Sequence, residues 1–345
     1  MLIIGCDFHP GFQQVAIFDN RTGEILERRL QHVEEAAAFY RGVGEQVLVG
    51  MESGSPCQWF RRLLEECGHS LWVGDAARIR AAEVRKQKTD RRDAELILRL
   101  MLEQRFPRIW VPTEAERDVR QLLLDRHHRM RLRTRVKNQL QALALNQGLQ
   151  KQRKLWSQAG LEQLRALPML EHAARRRDQL LETLAGLQTQ IVQLDGLVMA
   201  EAEGREDARR LMTHPGVGAQ TALATVLTIG EVGRFSSSKQ WASYLGLTPR
   251  EHSSGGKQHL GHISKQGSTL MRFLLVEAGQ TAVRGDEQLN RLYRRLAAKK
   301  GSRGIAKVMV ARRLAVRLYW MLRNQWTYAE LARHAGKPGS SCGEQ

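Results

Sequence analysis

Acidic side chains are in short supply in this chain: 36 Asp and Glu stand against 54 Lys and Arg in 345 residues, a formal charge of +18. Few metabolic enzymes are so short of acid, and the imbalance points to a polyanionic partner, nucleic acid first. Cysteine is scarce too. Cys6, Cys57, Cys67 and Cys342 form no CxxC pair and have no histidine at zinc-finger spacing, so reduced thiols are expected rather than a disulfide framework or a structural zinc. Long apolar runs are missing: Leu2 to Ile4 and Val47 to Val49 fall far short of the roughly 20 residues that span a bilayer. With no signal peptide before the first strand-like run, a cytoplasmic protein without a membrane partner is expected.

The basic excess is not evenly spread. Residues 1–110 hold 16 basic and 16 acidic side chains, residues 111–210 hold 18 and 13, and residues 211–345 hold 20 and 7. A neutral front joined to a basic back suggests chemistry at one end and polyanion binding at the other. A hydrophobic fraction of 42% excludes disorder for most of the chain, and its length predicts about two or three domains.

The opening reads as a meander of short strands, Leu2 to Cys6, Gln14 to Phe18 and Glu24 to Leu30, with turn signals between them. A helical pattern at Val33 to Arg41, a buried-type strand at Gln46 to Met51, an amphipathic segment at Gln58 to Cys67 and a further strand at Leu71 to Val73 follow. Strands first, then strands alternating with helices, predict a mixed α/β sheet covered by helices. Residues 115–147 are nearly free of Gly and Pro and carry the ladder Arg126, Arg129, Arg131, Arg133, Arg135 and Lys137, which fits one long helix. Leu180, Leu184, Leu187, Ile191, Leu194 and Val198 are spaced 4, 3, 4, 3, 4, an a/d seam. That seam would pack either on the 115–147 helix of its own chain or on another copy.

Asp7 follows the first strand and Glu52 follows the strand Gln46 to Met51; if those strands are neighbours, both carboxylates leave the sheet at one edge. Lys88-Thr89-Asp90-Arg91-Arg92-Asp93-Ala94-Glu95 opens a helix, with Asp90 and Asp93 on one face. Each acid alone has a plain explanation as a turn residue or a helix N-terminal charge. Four acids converging would need a cation between them, and hard oxygen donors select Mg²⁺ or Mn²⁺.

In the basic half, Met212-Thr213-His214-Pro215-Gly216-Val217-Gly218 before Ala219 to Leu227 resembles the hairpin of a helix-hairpin-helix DNA-binding motif. Gly216 and Gly218 permit tight turns beside a phosphate, and the next helix aims free amides at it; a packed interhelical loop is the alternative. Further on, Arg250, Lys257, Lys265 and Arg272 surround the Gly-Ser stretch Ser253-Ser254-Gly255-Gly256, suited to a phosphate backbone. Composition alone does not make either serine a nucleophile, because Ser-Ser-Gly-Gly is ordinary turn material.

The strand order and the placement of the acids resemble the ribonuclease H-like fold, and more narrowly the RuvC-type junction resolvases. Glu52-Ser53-Gly54, Lys88-Thr89-Asp90-x-x-Asp93-Ala94, Pro215-Gly216-Val217-Gly218, Gly246-Leu247-Thr248-Pro249-Arg250, Ser254-Gly255 and Ile263-Ser264-Lys265-x-Gly267 together resemble the DEDD transposases of insertion sequences, whose recombinases are guided by a structured bridge RNA. The match runs from about residue 2 to residue 320; Ser53 and His9-Pro10 depart from the usual pattern beside the acids. The resemblance implies a RuvC-like catalytic domain over 1–110 and a mainly α transposase domain over 206–335; the pattern gives a helical linker and coiled coil over 111–205, and Gly, Pro and Ser with few apolar groups give a disordered tail over 336–345. It implies that Asp7, Glu52, Asp90 and Asp93 are the metal-binding quartet and that Ser254, or Ser253 one residue earlier, attacks DNA to form a phosphoserine link. Double-stranded DNA, a guide RNA and a homo-oligomer, dimer or tetramer, are the implied partners, with the 180–198 helix helping assembly so that acids and serine meet between protomers. A metal-dependent resolvase or nuclease and a non-catalytic architectural binder are the competing readings.

Overall fold

The computed structural model describes residues 1–54, 57–83, 89–149, 154–251 and 259–335. Tail residues 336–345, expected to be disordered, lie outside the described residues. The chain divides into two compact units, Met1–Val111 and Pro112–Gln345.

In the first unit, β1 (Leu2–Phe8), β2 (Phe12–Asp19) and β3 (Ile25–Gln31) form the meander, followed by α1 (Glu34–Gly42), β4 (Val47–Glu52), α2 (Gln58–Glu66), β5 (Ser70–Gly74), α3 (Ala76–Ala81) and α4 (Asp90–Leu102). The sheet order is β3-β2-β1-β4-β5. The β1–β2 and β2–β3 pairs are antiparallel, whereas β1–β4 and β4–β5 are parallel. This is the mixed α/β sheet that the alternating pattern predicts. Strand residues point alternately to opposite faces. Ile4, Cys6 and Phe8 therefore join Tyr40 of α1 and Phe60 and Leu64 of α2 in one core. Ile3 and Leu48 face the other way, onto Leu96, Ile97, Leu100 and Met101 of α4.

Two glycines decide how close α4 comes. Gly5 of β1 and Gly50 of β4 are partners in the parallel register. A Cβ on Gly5 would lie 2.3 Å from the Ala94 carbonyl oxygen and 2.5 Å from the Leu98 amide, both backbone atoms of α4. A Cβ on Gly50 would meet the Met101 side chain first, its sulfur at 2.1 Å. The second and third turns of α4 are thereby laid directly on β1, and the Thr89 side chain accepts from the Arg92 amide as N-cap.

The second unit is mostly helical: α5 (Glu114–Asn146), α6 (Gln158–Ala166), α7 (Glu171–Glu203), α8 (Glu206–Met212), α9 (Ala219–Ile229), α10 (Ser238–Tyr244), α11 (Thr269–Gly285), α12 (Glu287–Lys300), α13 (Arg303–Arg323) and α14 (Tyr328–Ala335), with a small ribbon of β6 (Pro249–Glu251) and β7 (Leu260–Ile263). α5 opens with a capping box between Thr113 and Glu116. α5 and α7 pair side by side within the chain. Arg126 meets Asp195, Arg129 meets Gln190 and Arg133 meets Gln188, so numbers rise on one helix as they fall on the other and the pair is antiparallel. The apolar seam closes in the same way: Leu181, Leu184 and Leu187 pack with Val136, Leu140 and Ala144 of α5 and Leu164 of α6. Leu181 takes the buried place expected of Leu180, which is half-buried, because seven residues of α-helix fall about 20° short of two full turns and a strict heptad drifts off the seam. At their other ends, Val119 and Leu123 of α5 and Val198 and Ala202 of α7 enter the core built around α13.

A buried polar cluster ties the α8–α9 turn to α12, α13 and α14. Arg317 of α13 donates to Asp286 at 2.6 Å and to Gln288 at 2.8 Å. Asp286 also accepts from Tyr328 at 2.7 Å and from the Leu289 amide at 2.7 Å. Burial pushes the Asp286 carboxyl up, but these donors more than offset it and hold the group below its usual range. His214, 1% exposed, has Nδ1 2.8 Å from the Pro215 carbonyl oxygen. Donation there leaves Nε2 as the acceptor facing Arg317 at 3.4 Å. Burial lowers the imidazole pKa from 6.5 to about 4.

Two outcomes are expected. Gly5→Ala should destabilise the β1–α4 contact by about 1–3 kcal/mol, because backbone must move, and Gly50→Ala by less, because a methionine end can swing aside. Hydrogen exchange at β1 and α4 amides measures both, and equal losses would contradict the packing argument. For His214, unfolded chain takes up a proton between pH 6.5 and about 4 while folded chain does not. Stability is therefore full above pH 6.5 and falls with pH, by roughly 3 kcal/mol once the folded pKa is reached. His214→Gln should be less stable at pH 7 and show a shallower loss between pH 6.5 and 4.5 in denaturant melts; an unchanged slope would rule out this assignment.

Candidate functional site

The strand alternation that puts Gly5 and Gly50 under α4 puts Asp7 and Glu52 on the same face, two residues further along. Cys6 lies opposite Met51, so Asp7 and Glu52 are the next positions on neighbouring parallel strands. Both stand inside their strands rather than after them: β1 runs on to Phe8 and β4 ends at Glu52. α4 supplies Asp90 and Asp93 from its first turn.

The three-residue link between β1 and β2 adds a group of a different kind. His9 Nε2 lies 3.0 Å from Asp7 Oδ2 and 3.5 Å from Asp90 Oδ1. Ligand atoms of Asp7, His9 and Asp90 all fall within 4.8 Å of one another. Burial pushes the Asp7 carboxyl up, His9 draws it down, and the charges of Asp93 and Asp90 push it up again, with a raised pKa as the net result. Asp93 is thus near enough to be felt at Asp7. Glu52 is held by Arg80 of α3, whose Nη2 lies 3.2 Å from its Oε1. The structure gathers Asp7 and Asp90 around His9, brings the charge of Asp93 to bear on them and gives Glu52 a cationic partner.

Carboxylate oxygens and one imidazole nitrogen are the donors that a divalent cation takes. A half-buried carboxylate crowded by two others favours a cation beside it. The residues present fit a divalent metal ion. His9 was visible in the sequence only as a departure beside Asp7; its reach back over the strand end follows from the tight link, closed by the His9 amide donating to the Phe12 carbonyl at 2.9 Å.

In the second unit, Gly216 has φ +82° and presses on α11: a Cβ there would lie 2.4 Å from the Ala282 amide and 2.6 Å from the Ala278 carbonyl oxygen. Close helix packing accounts for a glycine at that point. Gly218 faces open space and is the N-cap of α9 with no side-chain cap, so its helix presents free first-turn amides. Arg272 donates to the carbonyls of Leu245 and Gly267, each at 3.2 Å, and to Gln266, binding together the segment that carries Lys265. Arg250 reaches the Ser264 carbonyl at 3.4 Å and is exposed, as is Lys265. Ser253, Ser254 and Lys257 lie in residues 252–258, outside the described residues. Part of the α5 ladder is engaged internally, since Arg126 bridges to Asp195 at 2.8 Å and to Gln220 at 3.0 Å. Arg294, Arg295 and Lys299 of α12 are exposed as well. Among the described residues no helix is long and apolar enough to cross a membrane.

Two family models match the chain, one at each end. Residues 4–147 match the DEDD transposase model of the IS110 group, and residues 208–294 match a model described as Transposase IS116/IS110/IS902 family. Among curated proteins, the chain is 29% identical over 286 residues to a "Probable family 20 transposase" of Pseudomonas aeruginosa, covering 81% of this chain and 84% of that one. It is 28% identical over 340 residues to the transposase for insertion sequence element IS1111A of Coxiella burnetii, covering 94% and 91%. It is 25% identical over 282 residues to the transposase for insertion sequence element IS1328 of Yersinia enterocolitica, covering 81% and 83%. With both models in order along one chain and relatives matched over most of their length, the chain belongs to the IS116/IS110/IS902 family of insertion-sequence transposases, enzymes that cut and rejoin DNA.

Proposed function

We propose that this transposase holds a divalent cation, Mg²⁺ or Mn²⁺, with Asp7, Glu52, Asp90 and Asp93, and uses Ser254 as the nucleophile that joins it transiently to DNA. The observation that carries the first half is the gathering of Asp7, His9 and Asp90 donor atoms within 4.8 Å at the end of β1. The sheet order, three antiparallel strands continued by two parallel ones, supports a RuvC-like variant of the ribonuclease H fold. When bound, the cation supplies Lewis-acid polarisation and charge neutralisation at a phosphate. The carboxylates position it, and Arg80 holds Glu52 on the same face as Asp7.

The second half rests on the family and on the basic residues Arg250, Lys257 and Lys265, close in sequence to Ser254. The serine hydroxyl oxygen bonds to phosphorus as the bond from phosphorus to a deoxyribose oxygen breaks. The serine proton passes to solvent or a base, and the departing oxygen takes up a proton. One phosphoester replaces another, so the reverse attack by a DNA hydroxyl rejoins the strand without an external energy source. Arg250, Lys257 and Lys265 neutralise phosphate charge near the serine, and Arg272 steadies the segment beside them. The α8–α9 turn is read as the hairpin of a helix-hairpin-helix element, its phosphate contact coming from Gly218 and the free amides of α9. Double-stranded DNA at the element ends and the target, a structured guide RNA and a homo-oligomer complete the reading.

Incubating the protein with Mg²⁺, element-end DNA and RNA from the element's flank, then running denaturing gels, should give a protein band shifted by covalent DNA. Ser254→Ala should lose that band and Ser253→Ala should keep it. Cleaved ends without a covalent band, equal in wild type and Ser254→Ala, would instead mark a metal-dependent nuclease.

A further inference from the structure

The cation site contains a donor that a carboxylate quartet does not supply. We infer that His9 is a direct nitrogen ligand of the ion and biases the site toward transition-metal ions over Mg²⁺; this rests on the reading of Asp7 and Asp90 as cation ligands.

The His9–Asp7 separation, that of a hydrogen bond in the structure, is also one that two donors to a single ion can take. Octahedral donors about 2.1 Å from an ion lie about 3.0 Å from their neighbours, and tetrahedral ones slightly further apart. His9 Nε2 stands 3.0 Å from Asp7 Oδ2 and 3.5 Å from Asp90 Oδ1. The nitrogen therefore occupies a position adjacent to both oxygens, from which all three can face one ion after small adjustments.

The ring is also held in place. It stacks on Phe12, centroids 4.6 Å apart at 22°. Phe12 in turn carries the Arg29 guanidinium 3.6 Å from its centroid. The His9 amide closes the hairpin onto the Phe12 carbonyl at 2.9 Å. Backbone and ring are thus fixed by the same neighbour, and Nε2 is left directed at the acids. A ligand held in advance loses little freedom on binding.

Ligand chemistry then sets the preference. Oxygen-only sites suit Mg²⁺, whereas an imidazole nitrogen is a better donor to transition metals than to Mg²⁺. One such nitrogen among carboxylates shifts the selectivity of the site without changing its position.

The test uses the full-length protein and Mn²⁺ as the probe. Pulsed electron paramagnetic resonance of bound Mn²⁺ should show modulation from an imidazole ¹⁴N, absent in His9→Ala. Mg²⁺ should displace Mn²⁺ from His9→Ala at least about tenfold more readily than from wild type, since even the loss of an outer partner of a ligand costs that much. Mn²⁺ bound to wild type without nitrogen modulation but released by Asp90→Asn would overturn the inference and leave the cation site standing. Modulation that persists in His9→Ala would overturn it too. Wild-type protein that binds no Mn²⁺ would remove the cation site itself and the inference with it.

Discussion

The close approach of α4 to the paired glycines Gly5 and Gly50 is the constraint on which the N-terminal unit depends. A methyl group at Gly5 would collide with helix backbone at 2.3 Å, so the helix can lie this near only because β1 lacks a side chain where it crosses. The same alternation that aims Gly5 at α4 aims Asp7 at its first turn. Asp90 and Asp93 then come close enough to raise the Asp7 pKa together with burial. Packing forces the carboxylates together at an electrostatic cost that a bound cation would relieve. Strand register and helix contact together place these carboxylates, and the proposed ion site follows from that placement.

The C-terminal unit handles its basic excess differently. Much of the guanidinium inventory is committed to holding the unit together: Arg126 to Asp195 and Gln220, Arg272 to three carbonyls, and Arg317 to Asp286 in a cluster closed by Tyr328 and His214. Arg317 is buried and paired, the condition under which a buried charge is tolerated. The α8–α9 turn that the DNA-binding reading needs is thereby anchored from three helices. What remains exposed, including Arg250, Lys265 and Arg294, Arg295 and Lys299 of α12, is the surface left for a phosphate backbone.

Much of this was legible in the sequence because it depends on local pattern. Alternating apolar residues gave the meander and the parallel strands, the Gly- and Pro-poor run gave α5, and the acids fell at strand ends and at a helix start. Leu181, Leu184 and Leu187 of the 180–198 seam pack on α5 and α6 of their own chain. What could not be read depends on contacts distant in sequence or on backbone direction. His9 reaches both acids only because a short link folds it back, and spacing does not encode the direction of that fold. Gly216 fits a phosphate turn or a helix contact equally well until α11 is seen beside it. Arg272 has the composition of a phosphate ligand, yet neighbouring carbonyls engage it. The β6–β7 ribbon is only three and four residues a side, too short to stand out from loop.

The central claim is that a divalent cation binds where β1, β4 and the first turn of α4 meet. The most direct measurement is anomalous diffraction from crystals of the protein grown with Mn²⁺. A peak within bonding distance of Asp7 and Asp90, with His9 beside it, is the predicted result. Fully occupied Mn²⁺ elsewhere with none at Asp7, or no peak at saturating Mn²⁺, would contradict the account.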